Sequence, residues 1–150
     1  MKVYILGSLR NPRVPEVAAL VRKAGHQAFD DWYSPGPETD EKWQEYEKAR
    51  GRSYKEALLG EHAEAAFQLD KRNLDTSEAA ILGGPYGKSA MAEMGYLRGR
   101  GVPVYVLLDG EPERFDLMLK FANSVHYDPE EIIHRLDASQ TLAHLWGGGT

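Results

Sequence analysis

Glu93 is the residue best placed to do chemistry. It lies in AAILGGPYGKSAMAEMGYLRGRGVPVYVLLD, Ala79 to Asp109, which reads as an apolar strand, a glycine-rich turn, a helix with Glu93 in its first turns and a second apolar strand. Open α/β sheets gather ligands at the carboxyl ends of their strands, where a Gly-rich turn and a helix N-terminus bring backbone N–H groups close to a polar guest. A carboxylate at that point can attack the guest or orient it. The helix macrodipole also favours an acid near a helix start, with no chemistry implied. On the helical wheel, Ala90, Met91, Met94 and Leu97 form one stripe, and Glu93 lies at its rim rather than on the far face where a solubilising acid belongs.

Three other groups belong with it. Asp70 falls among Ala63, Ala66, Phe67 and Leu74 on one helical stripe, and a carboxylate inside such a stripe is costly unless it is paired or faces a cavity. It either serves a site or reaches Lys71, Arg72 or a backbone group at the sheet edge. Tyr4 sits within the first strand, where its phenol needs a partner if buried. The turn GSLRN sets Gly7, Ser8 and Arg10 between a strand and a helix N-terminus, which suits a phosphate or a sugar hydroxyl. Gly and Ser also suit any strand-to-helix turn. His62, on nearly the same face as Asp70, reads as a structural partner.

The elements that must position these groups alternate along the chain. Lys2 to Leu6 reads as a buried strand, a helix with Pro15 near its first turn closes at Gly25, and Gln27 to Phe29 is a second strand. A β-α-β opening implies a parallel sheet. A polar, aromatic-rich excursion over about 30–63 follows, with a loop at Pro35, Gly36 and Pro37, a helical later part, and Trp32, Tyr33, Trp43 and Tyr46 either packing over the sheet or stacking on a ligand. Then come one long helix over SYKEALLGEHAEAAFQLDKRNLDTS, strands at Ala79 to Gly83 and Pro103 to Leu108, a helix from Glu111 to Phe121, a strand at Ser124 to Tyr127, and a helix from Pro129 to Leu136 before a loose tail over about 138–150. Five strands alternating with helices predict an α/β fold: a doubly wound, mainly parallel five-stranded sheet flanked by helices, flavodoxin-like or Rossmann-like.

Composition narrows the chemistry. The 150 residues suit one domain, carry a net charge of −5, and contain no cysteine. That excludes disulfides, thiolate zinc sites and cysteine nucleophiles, and fits a reducing cytoplasm. His26, His62, His126, His134 and His144 lack ligand-like spacing, so no metal and no cofactor is expected. The dispersed Lys and Arg predict no nucleic-acid polymer as partner, and no apolar run approaches the roughly 20 residues of a membrane span. The expectation is a cytoplasmic protein acting on a small molecule.

The residues quoted above resemble the nucleoside 2-deoxyribosyltransferase family and its relatives, the 2′-deoxynucleoside 5′-monophosphate N-glycosidases. The likeness lies in Tyr4 followed by GSLRN, in Asp70 within FQLDKRNLDTSEAAIL, and most specifically in GKSAMAEMGYLRGRGVPVYVLL, where E-M-G-Y is similar to the family's E-L-G-Y around its nucleophile. The resemblance implies that Glu93 attacks C1′ of a 2′-deoxyribosyl group, that Tyr4 holds Glu93 in its attacking geometry, and that Asp70 binds the sugar or assists the leaving base. It also implies a homo-oligomer with shared active sites, in which Asn123 or Ser124 of FANSVHYD would come from a neighbour. Six residues before the nucleophile the family carries Asp in transferases and Ser in the monophosphate hydrolases, whereas this chain has Gly87. Lys88 and Ser89 are then the candidates for those contacts, with Ser89 equally suited to cap its helix. A second reading rests on GGPYGKSAMAE, which is similar to the Gly-rich turn of lysine-decarboxylase-like and nucleotide-sensor folds, phosphoribohydrolases among them. It predicts a pocket that binds or senses a nucleotide.

Overall fold

Apolar runs form the three central strands of a five-stranded sheet and short mixed segments its two edges: β1 Lys2–Leu6, β2 Gln27–Phe29, β3 Ala79–Gly83, β4 Val104–Leu107 and β5 Ser124–His126. The structure, a computed structural model, describes residues 1–147. All neighbouring strands run parallel, in the order β2-β1-β3-β4-β5. Central β3 is buried along its whole length, as a parallel strand covered on both faces requires. The helices are α1 Val14–Lys23, α2 Thr39–Ala49, α3 Tyr54–Leu58, α4 Glu61–Thr76, α5 Lys88–Gly99 and α6 Pro129–Gly147. This is the doubly wound α/β architecture expected, and its winding direction reverses between β1 and β3, where such sheets open a crevice.

Alternation along the strands decides which groups meet. Val3 and Ile5 point to the α1 and α6 layer with Val17, Val21, Ile132 and Leu136, while Tyr4 and Leu6 point to the α5 side with Leu74, Ala90, Met94 and Leu97. Tyr4 therefore faces the helix that carries Glu93. Leu97 is 0 % exposed in this layer. Leu97→Ala is expected to destabilise the chain by about 2–5 kcal/mol, read as a lower urea midpoint at unchanged m-value.

Several boundaries differ from the expectation. The long helix is two helices, because Gly60 turns the chain in extended conformation as the N-cap of α4, and α3 is separately started by a Ser53–Glu56 capping box. Of the stripe around Asp70 only Leu74 is buried, and Phe67 is 58 % exposed. Only the carboxyl-terminal end of α4 is held to the sheet, where Lys2 Nζ donates to Asn73 Oδ1 and Thr76 Oγ1. The helix expected from Glu111 to Phe121 shrinks to a 3-10 turn at Leu117–Phe121, begun by Asp116 Oδ1 accepting from Met118 N at 2.9 Å. Pro112 interrupts this segment, and Phe115, Leu117 and Phe121 stay exposed while Leu119 packs against the core, too little burial to offset the cost of a short helix. The last helix runs past Leu136 to Gly147, since no Pro or Gly interrupts it sooner. The expected loose tail is thus helical through 147, and its end at 148–150 lies outside the described residues.

Candidate active site

Two turns meet at the crevice between β1 and β3. Gly7 ends β1 with no room to spare, since a Cβ there would stand 3.2 Å from Val14 Cγ2 and 3.4 Å from the Gly83 carbonyl oxygen. Buried Asn11 ties the turns together, donating from Nδ2 to the Gly84 carbonyl at 3.1 Å and accepting at Oδ1 from Arg13 N at 3.0 Å. Above this junction lies a cavity of 530 Å³, lined by Gly7, Ser8 and Arg10 after β1, by Asp70 of α4, and by Gly87, Lys88, Ser89 and Glu93. Glu93, Asp70 and six of the eight expected binding residues, all but Asn123 and Ser124, thus share one space, with Tyr4 beneath it.

The carboxyl of Glu93 is the electrostatic centre. It stands in the second turn of α5, whose first turn holds no acid, so the macrodipole does not account for it. Burial pushes its pKa up to about 7, with the Tyr4 phenol acting to lower it and the charge of Asp70 to raise it. Tyr4 is fully buried, with its ring 5.0 Å from that of Phe29. Its phenol is held well above its ordinary pKa by burial and by the charges of Glu93 and Asp70, and so stays a donor. Burial raises Asp70 too. Tyr4 Oη and Glu93 Oε2 are both buried without a hydrogen-bond partner. The phenol feels the carboxylate, yet their approach falls short of an ordinary hydrogen bond, which leaves lone pairs of Glu93 available to a guest.

The remaining expected residues take different places. Gly87, not Ser89, is the N-cap of α5, and nothing lies within 4 Å of where its Cβ would stand. Ser89 instead lines the cavity beside Lys88, at the helix end whose free N–H groups favour an anion. Arg10 reaches across the cavity mouth to Glu41 of α2, 2.5 Å away. Asn123 and Ser124 sit at the opposite, amino-terminal edge of the sheet: Asn123 Oδ1 accepts from Val104 N at 2.9 Å, and Ser124 Oγ pairs with His126 Nε2 at 2.6 Å. Within one chain they do not join the Glu93 cavity. His62 stacks near Trp43, with ring centroids 6.4 Å apart.

Trp32 is the wall the sequence did not single out for a functional role over packing. It does both, since its Nε1 donates to the Ile5 carbonyl at 2.9 Å while its ring lines the cavity. Asp31, Thr39, Asp40 and Glu41 line it as well, and no local signal marks them because the excursion is brought there by its fold. Among the described residues no cluster of three or more His, Asp or Glu is arranged to hold a metal, and no helix is long and apolar enough to cross a membrane.

No protein-family model matches the sequence, and no curated protein matches it. Solved structures do match its fold. A 2-deoxyribosyltransferase from Bacillus psychrosaccharolyticus superposes with a TM-score of 0.55 at 15 % identity, over 89 % of this chain and 90 % of that one. A CMP N-glycosidase from Clostridium botulinum gives 0.53 at 14 % identity, over 91 % and 99 %. A conserved protein from Enterococcus faecalis gives 0.58 at 13 % identity, over 93 % and 98 %. At these identities the likeness establishes a shared fold.

Proposed function

We propose that this protein cleaves or transfers the N-glycosidic bond of 2′-deoxynucleosides or their 5′-monophosphates, through a covalent deoxyribosyl intermediate on Glu93. One observation carries the reading: a buried carboxyl with an unused oxygen, flanked by a phenol and a second carboxyl, opens on a cavity at the crevice of the sheet. The fold shared with a 2-deoxyribosyltransferase and a CMP N-glycosidase supports it.

The chemistry follows from the groups present. A Glu93 oxygen bonds to C1′ as the C1′–N bond breaks, and the bonding pair leaves with the base. Positive charge grows on the sugar ring in between, and the adjacent carboxylate stabilises it before capturing it. Asp70, raised by burial, supplies the proton the departing base needs. Water or a second base then bonds to C1′, yields a proton to Asp70 and frees Glu93. Lys88, Ser89 and the α5 N-terminus offer the anion-favouring end of the cavity, suited to a 5′-phosphate. Sharing of sites between chains, with Asn123 or Ser124 entering from a neighbour, is part of the same proposal, as is a cytoplasmic setting.

Deoxynucleosides and monophosphates, each with and without a second free base, are to be incubated with the protein and followed by chromatography and intact-protein mass spectrometry. Base release or exchange and a deoxyribosyl adduct lost in Glu93→Gln are expected. Ligand bound but recovered unaltered would favour the nucleotide-sensing reading instead. Asp70→Asn is expected to slow release of an ordinary base by about 10²–10⁴-fold. With 7-methyl-2′-deoxyguanosine, whose base departs without needing a proton, the loss should be much smaller. Equal losses on both substrates would reassign Asp70 to sugar binding.

A further inference from the structure

A second cavity, of 920 Å³, lies outside the Glu93 site, between α2 and the α3–α4 junction. Its wall is drawn wholly from the excursion, from Pro35 to His62, and it shares only Pro35 and Thr39 with the first. We propose that it binds a planar aromatic anion of nucleotide size, with the ring held at Trp43 and His62 and the negative group at Arg50.

Three features support this. The Trp43 and His62 rings lie 23° from parallel with centroids 6.4 Å apart, toward the far limit for direct ring contact, and Tyr54 closes one edge of Trp43 at 6.4 Å. The site also withholds hydrogen-bonding groups from water. Trp43 Nε1 and Glu47 Oε2 are buried without a partner, on a Glu47 that is only 3 % exposed. Arg52 Nε lies 2.8 Å from Glu47 Oε2 as an ion pair, but it is not aligned to close a hydrogen bond. Buried polar atoms left without hydrogen bonds are costly, and both residues line the cavity, so a ligand with donor and acceptor edges gains by drawing them into contact.

The third feature is charge. Arg50 has no carboxylate partner among the described residues; it lies 5.1 Å over the Tyr46 ring and donates to its hydroxyl at 3.2 Å. Lys42, on the same wall, is only loosely paired with Glu38 at 4.0 Å. Gly60 leaves room for Arg52, because a Cβ there would stand 2.9 Å from the guanidinium nitrogen that donates to the Glu56 carbonyl at 2.7 Å. The pocket is thus braced, with Arg50 and the loosely paired Lys42 turned to an anion and Glu61 the one carboxylate on the wall besides the ion-paired Glu47.

The test is a binding measurement independent of turnover. The full chain carrying Glu93→Gln is titrated with dCMP, deoxycytidine or inorganic phosphate while its three tryptophan indole N–H resonances are followed by NMR, with Trp43→Phe assigning Trp43. dCMP should shift the Trp43 resonance saturably, deoxycytidine and phosphate only at far higher concentration, and Arg50→Gln should weaken the dCMP effect about tenfold or more. A Trp43 signal unmoved by all three at millimolar concentration overturns the proposal. So does one that titrates with the Trp32 midpoint and ignores Arg50→Gln, because it would report the first cavity alone. Saturation by deoxycytidine or by phosphate as readily as by dCMP also overturns it, by removing the need for one half of the ligand.

Discussion

Glu93→Gln is expected to abolish turnover and make the protein more stable at the same time. The loss in rate should be about four orders of magnitude or more, because the amide cannot bond to C1′ and Asp70, the carboxyl that acts with it, serves as the acid. The gain in stability has the same origin. Burial lifts the Glu93 pKa to about 7, so the folded chain binds a proton more tightly than the unfolded chain. Stability from that proton is complete at low pH and is lost as pH rises through about 7. Above this, the wild type must hold a buried anion and the Gln variant need not. With Glu93 partly reachable by solvent, the difference should be about 2 kcal/mol at pH 8, a rise in Tm of roughly 5 °C. It should shrink steadily as pH falls toward the ordinary carboxyl range. Scanning calorimetry of both proteins at several pH values measures it, and a variant less stable than wild type at pH 8 would mean that the Glu93 carboxylate is satisfied in the fold rather than held for a substrate.

Tyr4→Phe should leave the fold intact and still damage the reaction. The phenol approaches Glu93 without forming a hydrogen bond of ordinary geometry, so its removal leaves no fully bonded partner orphaned, and the ring keeps its contact with Phe29. Unfolding stability should change by less than about 1 kcal/mol. Turnover should fall roughly 10²-fold, the usual loss when a donor that steadies a reacting oxygen is removed. The pH profile gives the sign. Tyr4 lowers the Glu93 pKa, so without it the carboxylate forms only at higher pH. With 7-methyl-2′-deoxyguanosine, where no acid is needed, kcat/KM in the wild type should rise through about pH 7, and the variant's ascending limb should move to higher pH. An unshifted limb, with the same loss in rate, would confine Tyr4 to packing against the sugar.

Together these two variants separate roles that a single loss of activity would blur. One removes the proposed nucleophile and relieves the fold; the other keeps that carboxyl and changes when it is ionised. Asp70, across the cavity, completes the set through its dependence on the leaving base.

Much of this was legible from one dimension. Unbroken aliphatic runs bounded by glycine specify buried parallel strands, because only a strand covered on both faces tolerates them, and their alternation with helices specifies the doubly wound layers. Glu93 at the rim of the Ala90, Met94 and Leu97 stripe was legible for a related reason: helical periodicity sets direction within a few residues. Tyr4 was visible as a phenol inside a strand, although not its face. Periodicity within one element cannot say what lies opposite, so the approach of Tyr4 and Asp70 to Glu93 needed the register of β1 against β3 and the seating of α4.

Elsewhere local pattern and tertiary packing disagreed. Apolar residues from Glu111 to Phe121 look helical, but no sheet face was there to bury them. Asn123 and Ser124 were placed by resemblance at a site that, within one chain, lies at the other edge of the sheet. The excursion was the least legible part, since its polar, aromatic sequence fits packing or binding equally well, and only its fold sets Trp32 over one cavity and Trp43 in another. Strand and helix identity came from short-range sterics and periodic burial, which each segment carries in itself. The pairing of three buried or half-buried polar groups around one cavity is a matter of long-range geometry, and no segment carries that alone.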